Sequence, residues 1–264
     1  MGLITLLSDF GLQDASVASA KAVFMQRLPK AEIIDISHLV EPYHLLQAAY
    51  LLSASYKNFP AGTCHVLLFD IFSEKTPSLI LAEKDKQYFL APDNGLLSLC
   101  FGESLLQVWK CLDLVPPANF KDWLNETAEI TAKLQTNQPD DLQLEICQLK
   151  NAPQHCQPKV QSGSVECQVI HIDRFENIVI NITREQFDTI GRGRSFRIVF
   201  MRDEEITQLS THYHNVRSGD ILCRFNSAGY MEIAINHGKA ASLLGLRMHR
   251  EKDAIYNTIK IYFE

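Results

Sequence analysis

Asp9 and Asp70 each stand just past a short apolar run, Leu3–Leu7 before Ser8-Asp9-Phe10-Gly11 and Cys64–Phe69 before Asp70. A carboxylate past the C-terminal end of a parallel strand faces the crevice where open α/β sheets bind ligands. At that place Asp9 can accept two hydrogen bonds from a ribose diol, and Asp70 lies at the same sheet edge. Asp14 and Ser16 open the segment after Asp9, as ligand groups or equally as helix N-caps. Asp70 taken alone reads more readily as a solvated loop carboxylate, and Ala91-Pro92-Asp93-Asn94-Gly95 as a tight turn. Further on, Ile172-Asp173-Arg174-Phe175-Glu176-Asn177 leaves a strand with an acid, an aromatic and an amide. That trio suits a small zwitterion, with carboxylate for ammonium, amide for carboxylate and ring as a wall. It equally suits a β-turn with one core Phe. Asn226-Ser227-Ala228-Gly229-Tyr230 leads through a strand to Ile235-Asn236-His237-Gly238. Those groups can read a purine edge or simply close hairpins.

The elements that must position these residues fall into two patterns. Apolar runs at Leu3–Leu7, Ile33–Ile36, Cys64–Phe69, Leu79–Ala82 and Tyr88–Leu90 alternate with helical stretches at Ala15–Leu28 and His44–Tyr56. That predicts an α/β domain over residues 1–150, a largely parallel sheet with helices on both faces. Residues 151–163, rich in Pro and Gln, read as a linker. Over 164–264, short runs at Val165–Ile172, Ile178–Ile182, Ser195–Phe200, Ile221–Phe225 and Met231–Ile235 predict a smaller all-β barrel.

Composition narrows the function classes. The 264 residues are 46% hydrophobic and 21% charged, enough apolar material for a sizeable core. A net charge of −6 gives no reason to expect a nucleic-acid partner. The seven cysteines are odd in number and form no C-x-x-C pair, which argues against a zinc site or a disulfide framework. The apolar start Met1–Leu7 is too short and uncharged for a signal peptide, and no run reaches transmembrane length. The expectation is a soluble, reduced, cytoplasmic protein with no membrane partner and no bound metal.

Six blocks recur in a known order: SDFG at 8–11, DISHLVEPY at 35–43, FPAGTCHV at 59–66, APDNGLL at 91–97, IDRFEN at 172–177 and NSAGYMEIAINHGKAASLLG at 226–245. Together they resemble the SAM hydroxide adenosyltransferases, whose superfamily includes the halide-using adenosyl synthases. SAM is S-adenosylmethionine. The resemblance implies an α/β domain joined to a β-barrel, a homotrimer, and SAM held between the first domain of one subunit and the barrel of its neighbour. It implies SAM as substrate or ligand, with no separate cofactor. By position, Asp9 matches the acid that holds the ribose hydroxyls, and Asp14 and Ser16 match residues at the methionine end. Tyr43 matches an aromatic of the ribose pocket. Asp173, Phe175 and Asn177 match the block for methionine and adenine, and Ser227, Asn236 and His237 fall in the adenine block. Asp70 matches the acid thought to prepare the attacking water.

The chain departs from that pattern at the catalytic set. The family acid opens an Asp-Pro-Gly-Val-Gly segment with an arginine shortly after, but Asp70 is followed by Ile71-Phe72-Ser73-Glu74-Lys75-Thr76-Pro77. No arginine occurs between Arg27 and Arg174. The histidine expected within 120–127 is missing too, and Lys75 and Lys121 are the nearest cations in sequence. A lysine is a point charge rather than a planar fork, so neither replaces arginine directly. Glu176 stands where a glycine is expected in IDRFGN. Glu74 and Lys75 predict an open, polar loop around Asp70. The implied reaction is attack of water at ribose C5′, giving adenosine and methionine, at reduced rate. The alternatives are SAM or adenosine binding without turnover, and a different nucleophile such as halide.

Overall fold

The computed structural model describes residues 2–105, 107–113, 119–136, 142, 144–200, 205–248 and 258–264. The chain divides into two compact units, Met1–Ala152 and Pro153–Glu264. Among the described residues no helix is long and apolar enough to cross a membrane.

The first unit is built on a seven-stranded sheet of order β2-β1-β3-β5-β4-β6-β7. Strands β1 (Leu3–Ser8), β2 (Glu32–Ser37), β3 (Cys64–Leu68) and β5 (Gln87–Pro92) are parallel. The other half, β4 (Ser78–Lys84), β6 (Gln107–Asp113) and β7 (Glu145–Ile146), adds antiparallel pairs. The expected parallel α/β sheet thus holds for the half that carries Asp9 and Asp70.

Central strands buried on both faces read as unbroken apolar runs, and β1 shows why. Ile4 and Leu6 pack with α1 (Ser16–Arg27) and α4 (Phe120–Gln135), through Phe24, Trp123 and Ala128. Leu7 packs on the other face with α2 (Leu45–Ser55) and α3 (Leu96–Phe101), through Leu52 and Phe101.

The second unit is a nearly closed antiparallel barrel, with strand order β12-β11-β15-β9-β10-β14-β13. Its strands alternate in and out with period two. Val165, Cys167 and Val169 of β9 (Ser164–Ile172) face the core. So do Ile178, Ile180 and Ile182 of β10 (Ile178–Thr183), and Met231, Ile233 and Ile235 of β14 (Tyr230–Ile235). Helix α5 (Arg184–Gly191) starts on a capping box in which Thr183 and Gln186 bond reciprocally.

Three strands of this unit, β8, β12 and β15, lie outside the runs read from the sequence. β15 (Thr258–Phe263) pairs both β9 and β11 (Phe196–Val199), so the barrel depends on the last residues of the chain. β8 (Lys159–Gln161) lies within the stretch read as a linker and pairs β9. On the far side Leu209, just past β12 (Glu205–Ile206), bridges Cys223 of β13 (Ile221–Phe225).

Candidate functional site

Parallel pairing decides where the first site lies. Ser8 is in register with Leu68, so β1 and β3 end side by side and deliver Asp9 and Asp70 to one edge. The Asp70 backbone N–H donates to Asp9 Oδ2 at 3.4 Å. An open pocket of about 390 Å³ forms there, lined among others by Asp9, Phe10, Ser16, Tyr43, Asp70 and Phe120. Of the predicted first-unit residues, Asp9, Ser16, Tyr43 and Asp70 are thus brought together.

Asp14 does not line the pocket. It is exposed, and its Oδ1 accepts the Ser16 N–H at 2.8 Å, which holds its carboxyl below the usual range. The N-cap of the following helix is Ala15, so neither Asp14 nor Ser16 is the cap that the sequence offered as an alternative, and Asp14 bonds locally to the first helical N–H. Tyr43 is 78% exposed, with φ of 65°, so its ring forms an outer wall.

Electrostatics separate Asp9 and Asp70 from ordinary surface acids. Burial raises the Asp9 carboxyl above 3.8, against backbone N–H bonds from itself and Asp70 that lower it, and the nearby Asp70 charge raises it further. Burial also raises Asp70. The loop after Asp70 is open, with residues 72–76 exposed, but Asp70 itself is half-buried, unlike the open setting its neighbours suggest. The reason is that Asp70 closes a buried strand, whereas Glu74 turns outward to pair Lys150 at 2.6 Å.

Two groups at this edge had no site role assigned from the sequence. Asn94 Nδ2 donates to the Phe69 carbonyl at 2.9 Å, tying the 91–95 turn to the backbone beside Asp70. Asp70 has φ of 46°, a left-handed conformation that asparagine, aspartate and glycine tolerate best. Phe120 opens α4 and meets Phe10 edge-to-face, with centroids 5.1 Å apart. Its sequence signal is the Asn119–Asp122 capping box, which marks a helix start there. From the 120–127 stretch it is thus the Phe120 ring that reaches the pocket, and Lys121 beside it is exposed. Among the described residues, none that lines the pocket is a cation.

The barrel's candidate residues gather at one end of the β9–β10 and β13–β14 hairpins. Asp173 Oδ1 accepts the N–H groups of Phe175 and Asn177, each at 2.9 Å. Its Oδ2 accepts Asn177 Nδ2 at 3.0 Å. Asp173 and Asn177 therefore build the turn, and Phe175 projects from it 75% exposed. Glu176 has φ of 64°, which is why glycine is favoured there. Its carboxylate takes Lys239 Nζ at 2.8 Å and the Ser242 N–H at 3.0 Å, and its carbonyl takes the Ala241 N–H. Those bonds clasp the turn to the segment following Asn236 and His237. Asn236 Nδ2 donates to the Val216 carbonyl at 2.9 Å, while His237 is exposed. Ser227 is not brought to this cluster. It lies in the turn at the opposite end of β14, roughly 20 Å away at the usual rise of an extended strand.

Comparison with known proteins finds similarity over most of the chain. Residues 4–129 match the SAM hydroxide adenosyltransferase N-terminal domain, and residues 167–252 match the C-terminal domain of the same family. A Methanocaldococcus jannaschii protein named (R)-S-adenosyl-L-methionine hydrolase is 26% identical, over 97% of each chain. A Thermus thermophilus protein of the same name is 26% identical, over 92% of this chain and 96% of that one. The solved structure of an uncharacterized conserved protein from Thermotoga maritima aligns with a TM-score of 0.75 at 27% identity, over 98% and 99% of the two chains. With both of its domain models matched in order, the chain belongs to the SAM hydroxide adenosyltransferase family.

Proposed function

We propose that the protein binds SAM and directs water to ribose C5′ at a rate well below that of a site holding the full acid, arginine and histidine set. The C5′–O bond forms as the C5′–S bond breaks, and the bonding pair leaves on sulfur, giving neutral methionine. The water proton passes to Asp70 or to solvent, leaving adenosine. Asp9 accepts the ribose hydroxyls, Ser16 lies towards the methionine end, and Tyr43 covers the ribose. In the barrel, Phe175, with Asp173 and Asn177 shaping its turn, and Asn236 and His237 contact the remaining parts of the ligand. Ser227 contributes only at the far end of such a ligand.

The observation that carries this reading is the half-buried Asp9–Asp70 pair at a parallel sheet edge, with no cation lining the pocket among the described residues. A raised Asp70 is a better base than an ordinary carboxylate, but water has a pKa of about 15.7. A positioned acid-base group is typically worth roughly 10²–10⁴-fold, which sets the scale of the deficit. Alignment of water, C5′ and sulfur still contributes effective molarities up to roughly 10⁵–10⁸ M. Halide fits less well than water, because two adjacent carboxylates repel an anion.

Binding without turnover is the second reading, favoured by the same lack of a cation. Incubation with SAM followed by chromatography separates the two. Slow release of adenosine and methionine, lost in Asp70→Asn with binding retained, supports hydrolysis. No product alongside saturable binding supports the second reading. Assembly is proposed as a homotrimer, because ligand candidates lie in both units, and a monomer in light scattering overturns it. A reducing, cytoplasmic setting fits the seven free thiols.

A further inference from the structure

Ser8, the residue before Asp9, begins a buried chain of polar contacts leading away from the pocket. Ser8 Oγ lies 2.6 Å from His38 Nδ1, and the two residues are 0% and 4% exposed. Ser8 Oγ also accepts the Phe10 N–H at 3.5 Å. Asp35, an acceptor, faces the far side of the imidazole, which places the ring proton on Nε2 and leaves Nδ1 to accept the Ser8 hydroxyl. Nε2 meets Asp35 Oδ1 at 3.0 Å. That contact is short but poorly aligned for the ring N–H, which makes it the weaker link. Asp35 Oδ2 in turn takes Lys21 Nζ at 2.6 Å. The His38 carbonyl also accepts the Gly11 N–H at 2.7 Å. One residue of the loop after β2 therefore holds both ends of Ser8–Gly11, the segment that carries Asp9.

Serine, histidine and aspartate in this order can form a nucleophilic triad. Here Ser8 is fully buried and does not line the pocket, so it has no access to a substrate. What the chain does is fix a loop.

We propose that His38 is a positioning residue, whose ring and carbonyl lock Ser8–Gly11 so that the Asp9 carboxylate is preorganised for a ribose diol. This rests on the reading of Asp9 as the ribose acceptor. A binding group held to within a fraction of an ångström by supporting hydrogen bonds loses affinity when that support is removed.

The same sheet supplies a control. Thr5 Oγ1 lies 2.7 Å from His65 Nδ1, and His65 Nε2 lies 2.6 Å from Gln87 Oε1. This second buried hydroxyl–imidazole pair has neither partner lining the pocket.

The test is adenosine affinity by calorimetry, with melting temperature recorded for each variant. Ser8→Ala and His38→Leu are each expected to weaken adenosine roughly tenfold, as for loss of a buried hydrogen bond that positions a charged acceptor. The double variant should be no weaker than the worse single one, because both break one link. His38→Asn, whose amide oxygen can accept the Ser8 hydroxyl, should regain most of the affinity. Thr5→Val should lower the melting temperature and leave affinity within about twofold, as a distant site does. If His38→Leu does not fold, Ser8→Ala and His38→Asn carry the comparison. Wild-type affinity in folded Ser8→Ala or His38→Leu, or no rescue by His38→Asn, overturns the proposal while Asp9→Ala still binds poorly. An unchanged affinity in Asp9→Ala instead overturns the reading of Asp9, and this proposal with it.

Discussion

In the barrel, Asp173 gives both carboxylate oxygens to its own turn, accepting from Phe175, Asn177 and the Asn177 side chain. In the α/β unit, Asp9 takes backbone N–H groups only from itself and Asp70, and burial raises both Asp9 and Asp70. Two sequence motifs of similar appearance, an acid beside an aromatic after a strand, thus do different work. Asp173 shapes a loop whose ring is then displayed to solvent. Asp9 and Asp70 are held partly dehydrated with acceptor capacity remaining, at a cost in stability that a purely structural residue would not need.

The contrast is sharpest in ligand affinity. Asp9→Ala is expected to weaken adenosine by roughly 10- to 100-fold, from hydrogen bonds to a charged acceptor worth about 1.5–3 kcal/mol. Its melting temperature without ligand should hold or rise. Loss of stability with affinity intact would make Asp9 another Asp173, and the comparison would collapse.

Asp173→Ala should show the reverse, a destabilisation of about 2 kcal/mol, because several amide donors lose one shared acceptor. Urea unfolding of the folded protein checks it. A variant as stable as wild type would mean that the turn stands without its carboxylate.

A smaller effect separates the acids by pH. Raised carboxyls mean that the folded state keeps protons the unfolded chain has already released. Stability therefore falls as pH rises from 3.8 through the raised values. Asp70→Asn, which suits the left-handed backbone, should raise the melting temperature at pH 7 by an amount worth less than about 1 kcal/mol, since the group is still partly wetted. The gain should vanish below pH 3.8, where both acids are protonated in either state. A gain that persists in acid would trace to packing rather than charge.

The smallest change is expected at Glu176. Replacing it with glycine relieves the left-handed backbone but removes the clasp to Lys239 and Ser242, so the two effects oppose. Glu176→Ala keeps the backbone cost and loses the clasp, and should melt lower than Glu176→Gly in calorimetry. The reverse order would show that the left-handed backbone carries no cost at this position.

Much of this was legible before the structure. The apolar runs ending at Asp9 and Asp70 mark parallel strands, because buried strands must be apolar on both faces. The IDRFEN turn is local too, since an aspartate reaches amides two and four residues ahead without any distant partner. The Asp14 role and the exposed 72–76 loop also follow from neighbours in sequence. What the sequence did not show depends on which ends meet. Phe120 reaches the pocket from 110 residues beyond Phe10, and Asn94 braces Phe69 across the sheet edge. His38 grips Ser8 only because β2 lies beside β1. The barrel depends on β15, whose partners β9 and β11 lie far back along the chain. The raised Asp9 and Asp70 belong to the same class, because desolvation is set by everything packed around a group. Periodicity, turns and caps are short-range and can be read along the chain, whereas burial and strand order arise only when distant segments share one core.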